Sequence, residues 1–269
     1  MRCTHALPQQ MPNDITKSNG YTIQHCSLLT AQVQNTLENL YDVLPPAIWQ
    51  THYGVASAPY QALFKDSYYE TVVDDVLSKI LIGEPIHWGA EILVPSLVCA
   101  LKAETVIVHR AGQDIDIYDI CMQNPSWAVL YYPEPSDIFI CPIFFLLPTL
   151  PSAGNCPTVN EATDKFEGNI TAFLQSQVYV LLHEIAHFYI GVTVEDSVDE
   201  VVDWNYAFSL SPRNATCNAL NYVLFVASEL TFVTMVYNRW ALIVLLKVST
   251  RNVKNSRKQI NRTILEVED

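Results

Sequence analysis

The chain has 269 residues, half of them hydrophobic, with 28 acidic against 15 basic residues and a net charge of −13. That length supports one sizeable core with loose ends, and so acidic a body repels phosphate backbones, which argues against a nucleic-acid partner. Lys247, Arg251, Lys254, Arg257, Lys258 and Arg262 all follow Leu246, so the expected organisation is a polar segment over 1–20, a domain over 21–246 and a basic, disordered tail over 247–269.

Met1 to Gly20 lacks the continuous apolar core of a signal peptide. From Ser27 to Trp49, Leu28, Leu29, Val33, Leu37, Leu40, Tyr41 and Leu44 recur at helical spacing, and Pro45-Pro46 is expected to stop the run. Residues 60–82 predict more helix, with Leu63, Tyr68, Val72, Val73, Val76, Leu77 and Ile80 spaced for one face before Gly83. The middle then changes to β-branched and aromatic runs at 104–109, 127–132 and 137–141, with a turn over Pro133–Ser136, and these predict strands of a small sheet. Pro148 to Asp164, rich in Pro, Ser, Thr and Gly, reads as a surface loop. Tyr222 to Val248 is conspicuously apolar, but Glu229, Arg239 and Lys247 leave no charge-free run of bilayer length, so a core helix is expected and not a membrane span.

Seven cysteines stand at positions 3, 26, 99, 121, 141, 156 and 217, with no Cys-x-x-Cys among them. The spacing favours disulfides over thiolate metal binding. Three glycosylation triplets, beginning at Asn169, Asn214 and Asn261, point the same way, toward a secreted chain.

The chemistry is concentrated in Thr171 to Ile190, a predicted helix with Val178, Leu182, Ile185 and Tyr189 as its buried stripe. His183 and His187 fall one turn apart on a neighbouring face, within the string His183-Glu184-Ile185-Ala186-His187. Two imidazoles at that spacing can chelate one cation; zinc suits neutral imidazole, and Glu184 stands where it can take a proton from bound water. The plainer alternative is that these are ordinary polar positions of an amphipathic helix. Catalytic zinc takes a third protein ligand. The chain departs from the long form of this motif, because Gly191 is fourth after His187 and Thr193 follows it. Glu229 on a later helix is one candidate ligand, and Asp196, Asp199, Glu200 and Asp203 lie nearer.

With these residues in order, the chain resembles the deuterolysin-like fungal metalloendopeptidases, the aspzincins, which include lysine-specific metalloendopeptidase-like domains. Cys26-Ser-Leu-Leu-Thr-Ala-Gln resembles the family's Cys-led first helix, and Ile138-Phe-Ile-Cys141-Pro-Ile-Phe-Phe145 its strand before the zinc helix. Asp203-Trp-Asn-Tyr206 is similar to the core of its Gly-Thr-x-Asp-x-x-Tyr-Gly signature, with Glu200, Val201 and Ala207 in place of Gly, Thr and Gly. Asn218 to Phe225 resembles its closing helix. The resemblance implies an α+β, mainly α, zincin-like domain with a small antiparallel sheet, secreted, that hydrolyses protein or peptide substrates with zinc. It makes Asp203 the third ligand beside His183 and His187, with Asp196 as runner-up, and Tyr206 a hydroxyl donor to the oxyanion. It also implies a Cys121–Cys141 disulfide, and leaves Cys26 to pair with Cys99 or Cys156 or to stay free. The rival expectation, prompted by the altered signature, is a catalytically inactive, secreted binding or effector-like protein on the same fold.

Overall fold

The chain first pairs with itself at Asn19-Gly20. Both residues take positive φ, 42° and 83°, the requirement of a tight two-residue hairpin turn. The turn joins β1 (Thr16–Ser18) to β2 (Tyr21–Gln24) in antiparallel register. In this computed structural model the described residues are 15–102, 106–110, 113–132, 136–151, 158–160, 165–167, 174–193, 201 and 203–228. They belong to one unit that ends at Glu229.

The first long helix, α1 (Thr30–Thr51), runs through Pro45 and Pro46 instead of stopping there. Each proline removes one helical hydrogen bond. The buried face nevertheless continues past them through Ala47 to Thr51, so packing of that face outweighs the local preference. The expected second helix is broken into α2 (Ala58–Leu63) and α3 (Glu70–Ile82). Lys65, at φ 64°, ends the first piece, and the Asp66 carboxylate accepts from Tyr68 N–H to open the turn before the second. Val73, Val76, Leu77 and Ile80 are buried as their spacing predicts, and Gly83 closes α3 in the left-handed conformation.

Between α3 and the helix that carries His183 and His187 lie β3 (Ile86–Trp88) and β4 (Glu91–Leu93), which form a hairpin, and then β5 (Ser96–Cys99). A second hairpin, β6 (Ile107–Arg110) with β7 (Gln113–Asp116), leads into α4 (Ile117–Gln123). Strands β8 (Val129–Tyr132) and β9 (Asp137–Ile140) follow where the aromatic and β-branched runs predict them. The main sheet is not purely antiparallel as expected. Its order is β1-β2-β5-β9-β8, with β2/β5 and β5/β9 parallel and only its outer pairs antiparallel. A parallel centre requires cover on both faces, and both are covered. Val98 and Phe139 join Val106, Val108, Ile117 and Cys121 in one cluster, while the alternate residues Leu97, Ile138 and Ile140 are fully buried.

Among the described residues two disulfides stitch these layers together. Cys26–Cys99 joins the residue two past β2 to the end of β5, and Cys121–Cys141 ties α4 to the residue after β9. Cys217 takes part in neither, its thiol donating to the Arg213 carbonyl at 3.2 Å, and Cys3 and Cys156 lie outside the described residues. β10 (Thr158–Asn160), inside the expected surface loop, pairs with β11 (Lys165–Glu167) just past its end. The motif helix, α5, spans Gln177–Thr193 and packs against β8 and β9 on one side and α1 and α3 on another. Two short helices, α6 (Trp204–Ala207) and α7 (Pro212–Thr216), precede α8, helical over 219–228. Among the described residues no helix is long and apolar enough to cross a membrane.

Candidate metal centre

Helix α5 is anchored by its apolar stripe. Val178, Leu182, Ile185 and Tyr189 are each fully buried, as the spacing predicts, and Tyr189 also donates its hydroxyl to the Glu84 carbonyl at 3.0 Å. Fixing that face turns His183, Glu184 and His187 to half-buried positions on the adjoining one. The Nε2 atoms of His183 and His187 come within 3.2 Å, and their rings are 4.9 Å apart at 76°. Two zinc–nitrogen bonds of about 2.0–2.1 Å at a tetrahedral angle span about 3.3 Å. The imidazole pair is therefore spaced as two ligands of one small cation would be, and the donor set suits zinc.

Strand β8 completes this side of the centre. The Tyr131 ring lies parallel to the His187 ring, at 4° and 6.4 Å between centroids, and meets Phe188 edge-on at 6.2 Å. Burial pushes the Tyr131 hydroxyl above its usual range, opposed by a hydrogen bond with Ser136. The outward N–H of Tyr131 donates to Glu184 Oε2 at 2.8 Å, which fixes the direction of the carboxylate. The sequence marked 127–132 as strand but gave no sign of this contact, because it depends on which edge of the sheet the helix meets.

Asp203 is exposed, and its carbonyl accepts from the N–H groups of Tyr206 and Ala207 at 3.0 and 3.1 Å, opening α6. Tyr206 is 63% exposed, leaving its ring at the surface. Among the described residues no three His, Cys, Asp or Glu side chains gather as a ligand set. The structure thus brings the imidazoles of His183 and His187 together and turns Glu184 to the Tyr131 N–H, and does not draw Asp203 into a three-ligand group with the histidines. Asp196, Asp199, Glu200 and Glu229 lie outside the described residues. Directly after Glu200, Val201 N–H donates to Asn218 Oδ1 at 3.1 Å. No protein-family model matches the chain, and no curated protein matches it.

Proposed function

We propose that this chain is a secreted, zinc-dependent endopeptidase with a zincin-like fold, of the deuterolysin-like kind it resembles. The observation that carries this reading is the 3.2 Å approach of His183 Nε2 and His187 Nε2 on the helix that also carries Glu184. His183, His187 and Asp203 would hold the metal, which when bound supplies a Lewis acid and lowers the pKa of water. Glu184 takes a proton from the attacking water and passes it to the departing amide nitrogen as the C–O bond forms and the C–N bond breaks. The Tyr131 N–H keeps the Glu184 carboxylate aimed during both transfers, and the Tyr206 hydroxyl donates to the oxygen that gains negative charge. The two disulfides support an oxidising compartment, where extended protein or peptide substrates are the natural targets.

A second reading is a binding or effector-like protein that keeps this fold without turnover. The exposed Asp203 and the lack of a three-ligand group among the described residues favour it. Metal content and casein cleavage of the parent and of Glu184→Gln separate the two. Near-stoichiometric zinc in both proteins, with cleavage only in the parent, supports the peptidase. Zinc without cleavage in either supports the binding protein, and a zinc-free parent rejects the metal centre.

A further inference from the structure

We propose that Asn214 is a glycosylation site whose carboxamide nitrogen carries an N-linked oligosaccharide; this rests on the secreted half of the reading above and not on the zinc. Of the three Asn-x-Thr triplets, those at Asn169 and Asn261 lie outside the described residues. The third, Asn214-Ala215-Thr216, forms the end of α7 and has no proline at its middle position. This helix has an inner and an outer side. Inside, Ala215 is fully buried and Thr216 is 3% exposed, and the Thr216 carbonyl accepts from the Tyr222 hydroxyl of α8 at 3.0 Å. Outside, Ser211 and Arg213 are exposed.

The backbone of Asn214 is fixed at both ends. Its N–H donates to Ser211 Oγ at 3.3 Å, and its carbonyl accepts from Cys217 N–H at 3.1 Å. Its side chain is not used by the fold. Among the described residues the Asn214 carboxamide meets no hydrogen-bond partner, and it is not one of the buried polar groups that lack one, so water reaches it. The two asparagines that follow show the opposite arrangement. Asn218 and Asn221 are buried, as amides are only when partnered. Asn218 Nδ2 donates to Asn221 Oδ1 at 2.7 Å, and Asn221 Nδ2 donates to the Leu63 and Ala207 carbonyls at 3.2 and 3.3 Å. A solvated amide on a fixed backbone can bear a bulky, solubilising sugar without breaking a contact. The two disulfides belong to the oxidising compartment in which such transfer occurs. In the transfer, the Asn214 nitrogen attacks the anomeric carbon of an oligosaccharide activated as its lipid pyrophosphate. The C–N bond forms, the C–O bond breaks with its electron pair leaving on the pyrophosphate, and one amide proton passes to a base of the transferase. The Thr216 hydroxyl is committed to the Arg213 carbonyl at 2.7 Å once α7 has closed, so transfer precedes folding and the fold leaves the sugar outside.

The test compares the full chain made in eukaryotic cells behind a cleavable secretion leader with the protein taken from the cells that naturally make it. Enzymatic release of N-linked sugars in heavy-oxygen water turns a glycosylated asparagine into labelled aspartate, and peptide mass mapping reads position 214 separately from 169 and 261. Label at position 214 is expected in most chains from both sources. Asn214→Gln is expected to lose the mobility shift of one sugar chain, and Thr216→Ser, which keeps the acceptor hydroxyl, to retain it. An unlabelled Asn214 in the leader-directed chain overturns the site whether or not that chain folds, because transfer acts before folding. An Asn214→Gln chain with the parent's full sugar load overturns it equally. Label in the leader-directed chain beside a natural protein held unglycosylated inside the cell overturns the secreted reading and this modification with it. That result is distinct from a natural protein recovered from the medium with Asn214 unmodified, which overturns the site alone.

Discussion

Replacing Gln177 with Leu removes a buried amide that ties three elements together at the start of α5. The side chain is 1% exposed. Its Oε1 accepts from Thr36 Oγ1 of α1 at 2.8 Å, and its Nε2 donates to the carbonyls of Phe144 and Leu147 at 3.2 and 3.0 Å. Leucine fills a similar volume but leaves both carbonyls without that donor, at about 1–3 kcal/mol for each buried group left unsatisfied. The Thr36 hydroxyl also lies 3.0 Å from the Gln32 carbonyl, so it can turn there and adds little. Part of the loss is returned by the apolar surface that leucine buries. The net expectation is a destabilisation of about 2–4 kcal/mol, or about 5–15 °C in Tm for a chain of this size. Urea denaturation followed by far-UV circular dichroism measures it, with the m-value unchanged. Thr36→Val is expected to cost about 1 kcal/mol in the parent and much less beside Gln177→Leu, since both remove one hydrogen bond. A Gln177→Leu loss below about 0.5 kcal/mol, or strict additivity of the two changes, refutes this account of how the helix is seated.

The two disulfides close loops of different length, with sequence separations of 73 and 20. The chain-entropy relation gives about 4 kcal/mol for the longer and about 3 kcal/mol for the shorter. The Cys26→Ala/Cys99→Ala protein should therefore unfold at lower denaturant than the Cys121→Ala/Cys141→Ala protein, and the reverse order would count against the entropic account. Gly20 and Gly89 both take positive φ, but a Cβ at Gly20 would sit 2.3 Å from the Ile82 carbonyl oxygen, whereas nothing lies within 4 Å of one at Gly89. Gly89→Ala should cost only the left-handed strain of about 1–2 kcal/mol and Gly20→Ala clearly more, with equal losses in thermal melts as the contrary result. Burial raises the Asp137 carboxyl above its usual range, opposed by its hydrogen bond with Ser96. The folded chain therefore holds that proton more tightly than the unfolded one. Asp137's contribution to stability falls as pH rises from about 3.9 through the raised folded value, and it stays reduced above it. Asp137→Asn should be less pH-sensitive over that window, and Tm–pH curves parallel to the parent's would show that the carboxyl does not titrate there.

Much of the candidate site was legible because it lies within one helix. Periodicity alone placed Val178, Leu182, Ile185 and Tyr189 in the core, and their burial turns His183 and His187 toward each other. Strands β8 and β9 and the Gly83 stop to α3 were equally local signals. Pro45 and Pro46 misled because local preference yielded to a face buried as far as Thr51. The parallel β2-β5-β9 centre could not be read from Ser96–Cys99, four residues whose partners lie at 22–24 and 137–140. The resemblance supplied the Cys121–Cys141 pair, whereas the choice of Cys99 for Cys26 came with the strand order. The aim of Glu184 at Tyr131 N–H and the reach of Lys65 to Phe208 and Leu210 likewise belong to the tertiary structure. The sequence by itself determined the helix that carries the histidines, because spacing along one backbone is a local property. The tertiary structure decided what surrounds them, because contacts between distant segments are selected by the burial and hydrogen bonding of the whole domain.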